Sequence, residues 1–149
     1  MSLSKDVRVR VAGILIENDK LLLIAHKKEN NIYWLLPGGG VNYGESLSDA
    51  LKREFLEELN ISVENHEILL VFDSIDPSGE RHVINICFHC AFNSGAYRLG
   101  KDERLHDYSF FSIEELSKIS MYPPINDSLK SIMKKNINNI YLGSIWLDK

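Results

Sequence analysis

The chain has 149 residues, of which 44% are hydrophobic and 26% charged, with nine Gly and four Pro. That balance belongs to an ordinary folded domain and excludes disorder, collagen-like repeats and disulfide-stapled miniproteins. A chain of this length buries roughly 70% of its unfolded surface, so its core needs neither disulfides nor a structural metal. The net charge of -4 excludes a global basic field of the kind that holds nucleic acid without sequence preference, and a small anionic substrate would need a local cation.

No stretch reaches the ~20 apolar residues of a membrane span; the longest runs are Val11–Ile16 and Leu21–Ala25. The apolar stretch after Lys5, Arg8 and Arg10 stops at Glu17 without a small-residue cleavage site, so a cytoplasmic protein is expected. Residues 7–16 and 20–28 are β-branched and Leu-rich and read as a hairpin turning at Asn18-Asp19. Trp34-Leu-Leu36 runs into Pro37-Gly-Gly-Gly40, expected as an irregular loop that approaches a ligand closely.

Residues 46–59 read as a helix, with Ser46 as N-cap and Asn60 as a left-handed stop. Strands follow over 67–75 and 81–92, joined by the turn residues Asp76-Pro-Ser-Gly79. Along the second, Ile84, Ile86, Phe88, Cys90 and Phe92 share a core face, leaving Arg81, Asn85, Cys87 and His89 on a more polar one. Cys87 and Cys90 therefore point to opposite faces and read as buried free thiols, despite their C-x-x-C spelling. A short strand over 105–111 and helices near 112–118 and 124–135 complete the reading: an α/β domain over 1–149, with a mixed sheet covered by helices. The tail 137–149 carries Ile140, Leu142, Ile145 and Trp146. It packs either on the body or on a second subunit, so monomer and homodimer both stay open.

The helix carries the chemistry. At about 100° per residue, Glu54, Glu57 and Glu58 share one face beside the apolar stripe of Leu47, Ala50, Leu51, Phe55 and Leu59. Like charges so placed, partly shielded from water, call for a cation. Lys52 and Arg53 are too few to neutralise Glu45, Asp49, Glu54, Glu57 and Glu58, and a hard divalent ion with oxygen ligands suits the set. The plain alternative is a solvated acidic face.

From Gly39 to Ile61 the chain reads G-x5-E-x7-R-E-F-L-E-E-L-N-I, which resembles the Nudix box, G-x5-E-x7-R-E-U-x-E-E-x-G-U with U a bulky aliphatic. Asn60 stands for the box glycine and Phe55 for an aliphatic residue. Trp34-x-x-Pro-Gly-Gly39 before the box and Phe110-Phe-Ser-Ile-Glu-Glu-Leu116 after it extend the resemblance over most of the chain. It implies the Nudix α/β/α sandwich and Mg2+-dependent, or Mn2+-dependent, hydrolysis of a nucleoside diphosphate linked to another moiety: a nucleoside triphosphate, ADP-ribose or a nucleotide sugar.

Carried over by position, Glu57 and Glu58 are implied metal ligands with the Gly38 carbonyl as a third, and Glu54 a further ligand or the general base. Arg53 would orient the acids, Glu45 would support the loop–helix junction and Gly39 belongs to the motif. A further catalytic acid is implied in Lys101-Asp-Glu-Arg104, from Glu103 or Asp102, with Asp107 a second choice and a solvated turn the plain reading. Arg81 and Lys27 are candidate phosphate contacts, as are Lys28 and His82. Tyr43 is a candidate base-stacking residue, as are Tyr33 and Trp34, the last better explained by packing. Pro77 stands at the spacing of a proline in ADP-ribose-cleaving members, although its turn accounts for it. Two rivals remain: a non-catalytic nucleotide-sensing module, disfavoured by the complete acid set, and RNA 5'-end processing, disfavoured by the acidic balance. No membrane partner and no stable nucleic-acid binding are expected.

Overall fold

The computed structural model describes residues 6–136 and 139–146. The strands are β1 (Arg8–Glu17), β2 (Lys20–Lys28), β3 (Asn31–Leu35), β4 (Gly38–Gly40), β5 (Ile61–Ile75), β6 (His82–Gly95), β7 (Leu105–Phe111) and β8 (Tyr141–Ser144). The helices are α1 (Leu47–Leu59), α2 (Ile113–Leu116) and α3 (Asn126–Met133). The sheet runs β3-β2-β1-β6-β5-β8, with β4 added to β1 and β7 to β2. Pairings β1/β6 and β5/β8 are parallel and the others antiparallel, so the sheet is mixed.

Helices cover both faces. Phe55, Leu51 and Leu59 of α1 pack with Val11, Leu15, Phe88 and Cys90 on one side. Leu116, Leu129 and Ile132 of α2 and α3 pack with Ala12, Ile14, Phe72 and Cys87 on the other. Alternate β1 and β6 residues enter different cores, as strand periodicity requires. The two cysteines accordingly lie on opposite faces, buried and unbonded.

The hairpin turns through Asn18 and Asp19, both at positive φ (52° and 60°), a pair of conformations that Asn and Asp tolerate and that matches strand twist. Three expectations are corrected. Gly38–Gly40 is no irregular loop: it pairs antiparallel with Arg10–Ala12, because chain lacking side chains can lie flat against β1. Strand β5 starts at Ile61, directly after the helix stop, and carries bulges that break simple alternation. The expected core face of β6 does not run its full length: Phe92 is 39% exposed, while Asn85 on the more polar face is buried.

β1 changes partners along its length. Its C-terminal end pairs with β2 and its N-terminal half with β4, so β2 and β3 diverge from β1 and leave a cleft between them. The tail packs on the body: β8 adds to the sheet edge, and Leu142 and Ile145 join the α2–α3 core. Residues 137–138 and 147–149 of the expected tail lie outside the described residues. Among the described residues no helix is long and apolar enough to cross a membrane.

Candidate active site

Helix α1 is fixed at both ends by its own sequence. Ser46 Oγ accepts the Asp49 N–H at 3.0 Å, and Asn60 adopts the left-handed conformation (φ 59°) with its N–H on the Leu56 carbonyl, closing two groups of backbone partners that helix ends leave open. The segment after β6 ties down the last turn: Arg98 N–H donates to the Leu59 carbonyl and Gly100 N–H to the Glu58 carbonyl. The phase of α1 is thereby set, and its acidic face turns toward the cleft.

Arg53 is the hub of that face. Its Nε and Nη2 grip Glu45 at 2.7 and 3.0 Å, a two-pronged geometry that favours charge-assisted bonds. Nη1 donates to Glu54 at 2.9 Å and to both Glu57 oxygens at 3.3 Å, and Nη2 also reaches the Gly40 carbonyl at 2.9 Å. These bonds hold the Glu45 carboxyl below its ordinary range and keep Arg53 charged. Glu45 also accepts the Asn42 N–H at 3.0 Å, so it joins the loop to the helix.

Gly39 lies against Glu54. A Cβ at position 39 would stand 2.4 Å from the Glu54 carboxyl, so glycine leaves the Glu54 carboxyl room to lie against β4. Next to it the Gly38 N–H donates to Glu58 Oε1 at 2.8 Å. Glu58 is only 9% exposed. Burial pushes its carboxyl up to about 8, against the opposing pull of Arg10 and the Gly38 N–H, with the Glu54 and Asp102 charges adding to the rise. A positive ion in the cleft would restore the carboxylate.

The cleft has a volume of about 700 Å3, within the range of small-ligand sites. Glu54, Glu57 and Glu58 form one part of its wall, with Gly38 and Gly39 beside them. Arg8 and Arg10 of β1, Asn85 of β6 and Ser74 of β5 line another part. Asp102 and Arg104 enter from the loop before β7. Arg104 grips Asp102 through Nη2 at 3.0 Å and Nε at 3.3 Å, and this pairing keeps the Asp102 carboxyl low. His26, at the end of β2, is pushed down to about 4 by burial, with Arg104 and Arg10 adding to the effect, and is neutral at ordinary pH.

Among the sequence-derived candidates, Glu54, Glu57, Glu58, Gly38, Gly39 and Arg81 line the cleft, as does Tyr33; Arg53 and Glu45 stand directly behind the acids. Glu103, Lys27 and Tyr43 do not line it. Glu103 is exposed while its neighbour Asp102 faces in; Lys27 is exposed near the end of β2, where alternation sends His26 inward instead; Tyr43 stands fully in solvent. Lys28, His82 and Asp107 are also outside the lining, and Pro77 stays in its turn. Trp34 is packing, edge-to-face on Phe111 at 4.7 Å.

The residues that sequence reasoning missed are Arg8, Arg10, His26 and Arg104, with Trp146 from the tail. Arg8 and Arg10 show an i, i+2 spacing that puts both on one strand face. Nothing local tells that face from an ordinary solvent edge.

The donor set fits a hard divalent ion: carboxylates and backbone carbonyls, with no sulfur. Among the described residues no three such side chains converge on one point as they stand. Glu57 is more exposed than Glu54 and Glu58, and its bonds to Arg53 are long at 3.3 Å.

Residues 7–134 match the NUDIX domain family, and the chain belongs to it. An ADP-ribose pyrophosphatase of Methanocaldococcus jannaschii is 34% identical over 115 residues, 75% of this chain and 66% of that protein. An RNA pyrophosphohydrolase of Ruthia magnifica is 46% identical over 57 residues, 38% of this chain and 32% of that protein. The matched region thus spans less than two thirds of the length of either relative. A NUDIX hydrolase of Nitrosomonas europaea shares the fold, with a TM-score of 0.78 at 21% identity over 91% of this chain and 93% of that one. Members of the family generally use divalent metal ions.

Proposed function

We propose that this protein is a Mg2+-dependent pyrophosphohydrolase acting on a small nucleoside diphosphate linked to a second moiety. The observation that carries the reading is the buried Glu58 carboxyl, held by Gly38 beside Glu54 on a face shared with Glu57. A sensing module gains nothing from burying an acid whose ionisation costs so much.

Glu57 and Glu58 would hold the ion, with Glu54 and the Gly38 carbonyl nearby; Mn2+ satisfies the same donors. An ion held there would supply charge to neutralise the pyrophosphate oxygens and to make a water more acidic. Glu54, pressed against Gly39 and steered by Arg53, accepts the proton of the attacking water. The water oxygen bonds to phosphorus, the bridging P–O bond breaks, and the leaving phosphate departs toward the arginines. Arg8, Arg10 and Arg81 bind and orient the diphosphate. Asp102 is a poor proton acceptor because Arg104 holds it ionised, and its part is to keep Arg104 in the cleft.

Hydrolysis of ADP-ribose, nucleotide sugars, nucleoside triphosphates and dinucleoside polyphosphates, followed with Mg2+ and with EDTA, tests the reading. Glu57→Gln should lower turnover at least a hundredfold, on the order of the loss for removing one charge-stabilising group. Full activity in EDTA or in Glu57→Gln overturns the mechanism. Release of diphosphate from 5'-triphosphorylated RNA with none from the small molecules would favour the RNA alternative, to which the similarity to an RNA pyrophosphohydrolase over 57 residues lends support.

A further inference from the structure

The family match ends at residue 134, yet the cleft does not. Its wall continues onto β8 and the residues just after it, where Ile145 and Trp146 line the same cavity as the acids of α1. The tail is firmly held. Val71 N–H donates to the Ile140 carbonyl at 2.8 Å and Ile145 N–H to the Asp73 carbonyl at 2.7 Å, while the Tyr141 hydroxyl bonds the Asp73 carboxylate. Leu142 and Ile145, partly buried, pack against the α2–α3 core. The pairing of Ser144 with Asp73 brings Trp146 into the wall of the cleft.

Trp146 is the last of a row of rings along this wall. His26 meets Tyr33 at 5.7 Å, Tyr33 meets Tyr122 at 5.8 Å and Tyr122 meets Trp146 at 6.0 Å, each pair edge-to-face. All four rings line the cleft. Such contacts fix ring orientation, and a platform fixed before binding spares the ligand the cost of ordering it. In the sheet, β4 beside the acids and β8 before Trp146 are separated by β1, β6 and β5, so the acids and the tail line different parts of the cleft. A nucleoside diphosphate offers a planar ring to the tail and phosphates to the acids; a bare diphosphate offers no ring.

Resting on the pyrophosphohydrolase reading for its substrate class, we propose that the C-terminal strand is a recognition element and that Trp146 is the platform on which the substrate's planar base stacks. Trp146 is then a specificity-determining residue supplied from outside the family's common domain.

Binding of ADP, with inorganic pyrophosphate as the ring-free control, tests this through tryptophan fluorescence, because Trp34 and Trp146 are the two tryptophans of the chain. ADP should quench the wild-type signal saturably and pyrophosphate should not. Trp146→Phe, which keeps Trp34 as the reporter, should show no ADP quenching. Trp146→Ala should weaken ADP binding about tenfold, in the range of losing one base–aromatic stack, with pyrophosphate binding unchanged. Quenching that persists in Trp146→Phe, or an unchanged ADP affinity in Trp146→Ala, overturns the proposal. The readout needs no turnover. A protein that binds ADP through Trp146 but hydrolyses nothing defeats only the hydrolase reading, and one that hydrolyses diphosphates with no Trp146 effect defeats only this one.

Discussion

At Glu58, burial and charge oppose each other, and stability records the contest. In metal-free protein the native carboxyl titrates at about 8 against an ordinary 4.5, so between those values the folded chain keeps a proton that the unfolded chain has released. Stability therefore falls as pH rises through that window, by up to about 1.4 kcal/mol per pH unit. His26 acts with the opposite sign. Its native value of about 4 against 6.5 means that the unfolded chain takes a proton the native state refuses, so stability falls as pH drops through 6.5. The two effects offset each other between 4.5 and 6.5, leaving Glu58 in charge from 6.5 to 8. Thermal melts in EDTA should show the midpoint declining over that upper range in the wild type and level in Glu58→Gln; a level wild-type curve would refute the assignment. Gly39 makes a second prediction. In Gly39→Ala the new Cβ displaces the Glu54 carboxyl, a flexible group that can swing away. Turnover should fall at least tenfold with Mg2+ affinity weakened, while the melting midpoint moves by only a degree or two; unchanged turnover would show that Glu54 does not need this position.

Helix α1 is the element in which local signals and tertiary contacts agree. Its length, cap and stop follow from Ser46, the apolar stripe and Asn60, and the structure places them where the sequence does. Its depth in the cleft is set elsewhere, by the strap from Ala96 to Gly100. At Gly100 a Cβ would stand 2.0 Å from the Glu57 carbonyl oxygen, a backbone atom that cannot move without shifting the acidic turn. Gly100→Ala should therefore cost about 2 kcal/mol from overpacking, a loss of roughly 4–8 °C in melting midpoint for a chain of this size, and should weaken Mg2+ binding in parallel. A melt that matches the wild type would mean that the strap does not position the helix. The strap was not legible beforehand because its bonds run from amides to the helix's open carbonyls, a pattern that uses no distinctive side chain.

Over the whole molecule the charge of -4 separates into two fields. Residues 45–58 hold five acids and two bases, or -3 of the total, whereas Arg8, Arg10, Arg81, Lys101 and Arg104 gather on other parts of the cleft wall. An anionic substrate is thus drawn to a cleft in a chain that is acidic overall. Raising ionic strength from about 0.03 to about 0.3 M shortens the screening length several-fold, and KM for a diphosphate-linked substrate should rise several-fold while kcat holds. A KM indifferent to salt would show that the arginines do not steer the substrate.

The sequence by itself determined what depends on neighbours along the chain: the hairpin at Asn18-Asp19, the capped helix, the opposed cysteines, and three acids on one face of α1. Each follows from backbone preference or from a period of two or 3.6 residues, and the Nudix resemblance rests on the same helix. Only the tertiary structure decided which residues meet across the cleft. β1 exchanges β4 for β2, and that divergence opens the cavity; the strand-end alternation sends His26 inward and Lys27 outward; the loop turns Asp102 in and Glu103 out. Tyr43, a reasonable stacking residue by type, stands in solvent, while Trp146, 107 residues past Gly39, closes the wall. Contacts between residues so far apart in the chain are set by packing and register, which no local pattern encodes.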